Sequence, residues 1–259
     1  MFDPDIRALE ELTLNTSPAI HQALCDGWVL RASGTDTRRA NSATALAASL
    51  LDPDEAIERI EAWYARHGQH PIFRLTEAFA PPGFDDALAQ RGYTHEVRTL
   101  VMVLDLTRDL ARDVKLASGA QIIERDPEAG LADLHELKHS SDEAEARDRD
   151  RQALWHGPQV FASLKTINGL ACTGLARLDN GHVGIFNMRT AHRARRKGYA
   201  ATLIAYLLTW GQANGATRAF LQVDEANTAA VALYRGFGFV ERYAYWHRVA
   251  PIAAHACRK

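Results

Sequence analysis

Apolar and polar positions along this chain switch repeatedly between a helical and a strand period. Ile6–Leu14 carries the three-and-four spacing of a single helix face. Gly27–Ala40 reads as two short strands around the turn-rich Ser33-Gly34-Thr35-Asp36. Asp52-Pro53-Asp54 supplies an N-cap and a first-turn proline for a helix over Glu55–Arg66. A strand over Pro71–Thr76, a helix over Phe84–Gln90 ended by Gly92, and a strand over Val97–Leu106 follow.

The polar stretch Thr107–Gly119 reads as a linker, and the pattern beyond it is more regular. A strand over Ala120–Glu124 leads into helices over Glu128–Lys138 and Ala144–Leu154. Strands over Gln159–Ile167, Leu170–Leu178 and His182–Met188 are separated by Asn168-Gly169 and Asn180-Gly181. An Asn-Gly pair between apolar runs signals a tight hairpin, because its central residues must tolerate positive φ, so these strands should form an antiparallel meander. A helix from about Gly198 to Ala213, a strand over Ala219–Val223, a helix over Thr228–Arg235 and a strand over Phe239–Val249 complete the order β-αα-βββ-α-β-α-β. A faint repeat links the halves. Residues 88–104 and 234–249 share a helix end, a glycine followed by an aromatic, and a long strand, which suggests tandem related domains over 1–110 and 111–259.

Composition narrows the function classes. The chain has 259 residues, 47% hydrophobic, with a formal net charge of −2. That is enough chain for one large or two ordinary cores, and the charge balance argues against a general nucleic-acid or membrane-surface binder. Cys25, Cys172 and Cys257 lie far apart, which supports neither a disulfide framework nor a structural zinc site. His247, His255 and Cys257 have no partner pair, so no metal is expected. No signal-like N-terminus and no apolar run of spanning length stand in the sequence, which leads us to expect a cytoplasmic protein.

One segment carries chemistry on its own terms. In NMRTAHRARRKGYAATLIAYLL (187–208) a strand ends, a basic loop follows, and an amphipathic helix starts at a glycine. The first backbone N–H groups of a helix have no partner within it, and the dipole adds positive charge, so this geometry suits phosphate oxygens. Gly198 lets the backbone approach closely, and Arg195, Arg196 and Lys197 supply charge for a diphosphate.

Arg195-x-x-Gly198-x-Ala200 resembles the R/Q-x-x-G-x-G/A loop of the GCN5-related N-acetyltransferases. Leu221, Val223, Asn227, Ala230, Leu233, Tyr234, Gly238 and Phe239 resemble that family's later L-x-V-x-x-x-N…A-x-x-L-Y…G-F block. The resemblance is close over about residues 120–250 and only general before that. It implies an α/β fold with a mixed sheet: the family fold in the second half and a degenerate copy in the first. It implies acetyl-CoA as co-substrate, held by the backbone of Met188, Arg189 and Thr190 at the pantetheine. The amides of Arg196, Lys197, Gly198, Tyr199 and Ala200, with the Arg195 side chain, would hold the diphosphate. Asn227 would bond the pantetheine arm, and Tyr234 would protonate the departing thiolate. His192 and Thr190 depart from the commonest family residues, a tolerable change where backbone groups bind.

A general base is less evident. The strand His182–Arg189 holds no carboxylate, which leaves Glu225 or Asp224 as candidates. The implied reaction is direct transfer of acetyl to a primary amine in a ternary complex, with a small-molecule or peptide acceptor and a monomer or homodimer. A donor other than acetyl, a protein N-terminal or lysine acceptor, or a CoA-binding regulatory or scaffold protein without turnover are the alternatives. In the first half the position equivalent to the phosphate loop, LLDPDEAIERI (50–60), lacks glycine and is acidic. With Gly92 aligned to Gly238, Leu88 and Pro81 replace Tyr234 and Asn227, so this half is expected to be a structural partner. Trp28, Arg31, Arg38, Arg39 and Asn41 could recognise a planar or acidic acceptor; the simpler reading has the tryptophan in the core and the arginines on a solvated hairpin.

Overall fold

A computed structural model describes residues 4–35, 37–96, 98–106 and 119–251. The linker expected over Thr107–Gly119 lies, as far as residue 118, outside the described residues, as do His255 and Cys257. In chain order the elements are α1 (Pro4–Asn15), β1 (His21–Cys25), β2 (Trp28–Ala32), β3 (Ala43–Ala45), α2 (Pro53–Arg66), β4 (Ile72–Thr76), α3 (Phe84–Gln90), β5 (Thr94–His95) and β6 (Thr99–Asp105). The second half adds β7 (Gln121–Arg125), α4 (Pro127–Lys138), α5 (Asp142–Gln152), β8 (Gln159–Thr166), β9 (Gly169–Asp179), β10 (His182–Thr190), α6 (Tyr199–Ala213), β11 (Arg218–Asp224), α7 (Thr228–Phe237) and β12 (Val240–Val249). This is the element order expected for the second half.

The first half differs from expectation at its opening hairpin. The turn joins β1 to β2 through Asp26-Gly27, at φ +44° and +83°, rather than through Ser33–Asp36. A Cβ on Gly27 would stand 2.7 Å from the carbonyl oxygen of Ala47, so position and conformation both demand glycine. The Asp-Gly pair is itself a hairpin signal, hidden because β1 is largely exposed and sets only Ala23 and Cys25 against the core. In place of a second strand, Arg38–Ala40 is a short 3-10 turn.

All strands join one mixed sheet in the order β1-β2-β3-β4-β12-β6-β11-β10-β9-β8-β7, with β5 beside β12. The centre of that order explains the sequence repeat. β4-α3-β6 in the first half corresponds to β11-α7-β12 in the second, and each closing strand has crossed to the other half. Thus β12 lies between β4 and β6, while β6 lies between β12 and β11, all antiparallel. The two glycines after α3 and α7 do the same work: Gly92 and Gly238 sit at φ +82° and +97°. Tyr93 donates to Leu88 at 3.0 Å as Phe239 donates to Tyr234 at 3.2 Å. The central position of β6 accounts for its unbroken apolar run, Leu100–Leu104, buried on both faces.

Burial divides between the two faces of this sheet. α6 and α7 pack Leu203, Ile204, Leu207, Val231 and Phe237 onto one face. On the other, α1 lays Leu9 and Leu12 against Val101, Val103 and Phe220. A buried ion pair anchors α1: Arg74 of β4 is bonded to Glu10, with its second nitrogen at 2.8 Å, and Tyr243 of β12 donates to the same carboxylate. The Arg74 guanidinium also lies 3.8 Å from the ring centre of Tyr245. One carboxylate therefore joins elements from both halves.

Candidate active site

The site is built where two parallel strands part. β10 and β11 pair only from His182–Ile185 against Arg218–Leu221. Beyond Ile185, β11 stays with β6 as far as Asp224, whereas β10 stays with β9 as far as Thr190. A bulge between Phe186 and Arg189, with Asn187 at φ +53°, turns β10 away. The edge of Met188, Arg189 and Thr190 that faces β11 is thus free of strand pairing, as an added extended chain would require.

The basic loop continues from that edge. His192–Ala194 forms a 3-10 turn, Arg196 sits at φ +62°, and Gly198 at φ +80° opens α6. No side chain caps α6 and its first turn holds no acid. A Cβ built on Gly198 meets nothing within 4 Å, so the helix start faces open space. Arg195, Arg196, Lys197 and Gly198 are exposed, while Tyr199 and Ala200 are half-buried. Uncapped N–H groups beside Arg193, Arg195, Arg196 and Lys197 give this helix start the chemistry that suits an anion. Arg193 itself holds the carbonyl of Asn168 at 3.1 Å and so fastens the loop to the β8–β9 turn.

Tyr234 on α7 is 8% exposed and packs edge-to-face on Phe239, 6.0 Å between ring centres. Burial raises its pKa to about 12, the neighbouring Cys172 contributes in the same direction, and Arg39 opposes both. The phenol is therefore protonated at any physiological pH. Cys172 bonds Thr190 at 3.3 Å, and burial pushes its thiol up to about 11, which leaves it a poor nucleophile at neutral pH.

Asn227 stands immediately before α7, as the expected helix over Thr228–Arg235 implies. α7 begins at Thr228, and Asn227 is its N-cap, accepting from Ala230 at 3.2 Å. Its amide nitrogen remains available on an exposed residue. Glu225 is exposed and ion-paired to Arg98 at 3.2 Å. Asp224, by contrast, lines a cleft of about 650 Å³ together with Arg38, Arg39, Gln222 and His247. A second cleft, of about 330 Å³, lies between the β10 bulge and α4–α5, and Arg39 lines it too.

The first-half cluster separates into distinct roles. Trp28 is wholly in the core. Arg31 is buried as well, where it bonds the carbonyls of Ser17 and Arg39, so it is not on a solvated hairpin. Asn41 organises the loop, accepting from Ser33 and Gly34 and donating to the carbonyls of Thr35 and Thr37 at 2.7–2.8 Å. Arg38 pairs with Glu96 at 2.5 Å. Of this cluster, Arg39 alone lines both clefts. The sequence groups it with Arg31 and Arg38 and gives no local pattern that tells the three apart. Among the described residues no group of His, Cys, Asp or Glu could hold a metal ion, and no helix is long and apolar enough to cross a membrane.

Comparison with known proteins agrees with this geometry. The sequence pattern of the family described as "Probable histone acetyltransferase Rv0428c C-terminal" matches residues 4–248. An uncharacterized N-acetyltransferase, YobR of Bacillus subtilis, is 29% identical over 98% of this chain and 98% of its own length. Among solved structures, a GCN5-related N-acetyltransferase from Kribbella flavida superposes with a TM-score of 0.67 at 20% identity, covering 95% of both chains. A tandem protein of the same superfamily from the clavulanic acid biosynthesis pathway gives 0.66 at 13% identity, covering 94% of this chain and 88% of that one. The chain therefore belongs to the Rv0428c C-terminal family and is an acetyltransferase of the GCN5-related type.

Proposed function

We propose that this enzyme transfers an acetyl group from acetyl-CoA to a primary amine by direct attack in a ternary complex. The observation that carries the proposal is the splay of β10 from β11, which leads on one side to the open start of α6 and on the other to the clefts lined by Asp224 and Arg39. In this reading Met188–Thr190 pairs with the pantetheine amides, and the amides of Arg196–Ala200 with the Arg195 side chain hold the diphosphate. Asn227 donates to the pantetheine arm through its free amide.

The neutral amine attacks the acetyl carbonyl, a C–N bond forms, the C–S bond breaks, and Tyr234 gives its proton to the departing thiolate. The amine's surplus proton leaves through a carboxylate. Of the two on this strand end, Asp224 is the one on a cleft, whereas Glu225 is engaged by Arg98. The high pKa of Cys172 favours direct attack over an acyl-cysteine intermediate. We further read residues 1–110 as a related unit that has lost the coenzyme site, and the two free thiols, Cys25 and Cys172, as consistent with a cytoplasmic setting.

Titration of acetyl-CoA followed by thiol release with a panel of amines tests this reading. The wild type should bind one equivalent and release thiol. Tyr234→Phe should lower kcat about 100-fold, in line with loss of a positioned acid, with little change in acetyl-CoA affinity. Binding without thiol release for any amine or peptide would point instead to a regulatory CoA binder.

A further inference from the structure

The smaller of the two clefts beside the splayed strands carries a positive charge that its lining residues do not neutralise. In the smaller one the only carboxylate is Asp148, and Arg151 takes it at 3.1 Å. Arg177 is occupied by the carbonyl of Thr16 and the side chains of Gln152 and Gln159. Arg39, Lys138 and Arg189 line the same cleft, and among the described residues their side chains have no hydrogen-bond or ion-pair partner. The larger cleft holds the Arg38–Glu96 pair, which leaves Asp224 facing Arg39 across it.

Arg39 and Thr37 line both clefts, and of the two only Arg39 carries charge. It is half-buried, and it comes from the half that has no open helix start. It lines the larger cleft together with His247, and its charge acts to lower the pKa of both His247 and Tyr234. The wall of that cleft adds two buried polar atoms without partners, Nε2 of His247 and Nε2 of Gln222. His247 is 5% exposed, and burial beside Arg74, Arg38 and Arg39 holds its pKa down at about 3, so the imidazole is neutral. Unmade hydrogen bonds on buried groups are costly, and a polar ligand in the cleft would satisfy them.

We infer that the acceptor is a primary amine that also carries an acidic group, held by the guanidinium of Arg39. A guanidinium offers a planar fork that matches carboxylate or phosphate oxygens bidentately. A polycation such as a lysine-rich histone tail would meet three unpaired cations at the cleft instead. The inference rests on the amine-acetylation reading and adds the substrate class to it.

The test compares matched amines in the thiol-release assay: β-alanine against propylamine, γ-aminobutyrate against butylamine, and phosphoethanolamine against ethanolamine. The acidic member of at least one pair should lead in kcat/KM by more than about tenfold. Arg39→Ala should collapse that ratio towards one through KM, while Arg39→Lys keeps part of it; acetyl-CoA affinity should hold in both. The carboxylate and phosphate pairs separate the two sources of negative charge. Preference for spermidine or a lysine-rich peptide, with ratios that Arg39→Ala does not change, would overturn the inference and leave amine acetylation standing. If no amine releases thiol although acetyl-CoA binds, the acetylation reading falls. Calorimetric binding of the acidic amines to the acetyl-CoA complex, wild type against Arg39→Ala, then decides the inference separately.

Discussion

Helices α2 and α6 start at equivalent places, each between two parallel strands, yet one start is closed and the other open. At α2 the Asp52 side chain accepts from Glu55 at 2.9 Å, Pro53 has no N–H to offer, and Asp54 and Glu55 fill the first turn. The preceding amides of Leu50 and Leu51 both donate to the Asp26 carboxylate at 3.0 Å. At α6 the same places hold Arg195, Arg196, Lys197 and a left-handed Gly198, with no capping side chain. The first half commits donors at its helix start to its own carboxylates, whereas the second leaves them without a capping side chain. The chemistry of an anion site is here a matter of which side chains are withheld.

The largest effect should come from asking whether the two halves are separate bodies at all. The exchange of β6 and β12 makes each half's sheet depend on a strand from the other. Glu10→Ala strips the partner from buried Arg74, and removal of one member of such a pair costs about 3–5 kcal/mol. Because Arg74 lies on β4 and Tyr243 on β12, that loss should lower the stability of both halves together. Denaturation followed at once by tryptophan fluorescence, with Trp28 and Trp63 in the first half and Trp210 in the second, and by circular dichroism should give one coincident, shifted transition. Two separated transitions would mean that the halves unfold independently despite the exchange.

A smaller effect follows from copying the closed solution onto the open helix. Gly198→Asp places a carboxylate at the N-cap of α6, in the manner of Asp52, and aspartate tolerates a left-handed backbone better than most residues. Calorimetry should find acetyl-CoA affinity weakened about 100-fold, roughly 2.7 kcal/mol, with a modest fall in the thermal midpoint from the strained left-handed backbone. An unweakened affinity would mean that the diphosphate is held elsewhere.

Much of this comparison was legible in the sequence, because it rests on local patterns. Asn180-Gly181 takes φ +43° and +71° as an Asn-Gly hairpin should, and the second half's elements fall within a few residues of their apolar runs. The acidic, glycine-free run at 50–60 likewise signalled the capped, acidic start of α2. What the sequence could not tell is decided by long-range partners. The exchange of β6 and β12 is invisible in residues 88–104 and 234–249, since a strand's pattern records that it is buried and not beside whom. That Arg39 lines clefts whose other walls come from the second half depends on the tertiary fold.

The smallest effect tests how deep the difference between the two helix starts runs. Asp52→Ala removes one capping oxygen from α2 and should cost about 1 kcal/mol, visible as a modest fall in the thermal midpoint. It should not create a second coenzyme site. Asp26 would still occupy the amides of Leu50 and Leu51, Pro53 would still lack a donor, and Asp54 and Glu55 would still repel a diphosphate. Calorimetry of this variant should therefore return a single equivalent of acetyl-CoA, as in the wild type. A second equivalent would show that one carboxylate separates the two halves, and that the first retains nearly everything the second uses.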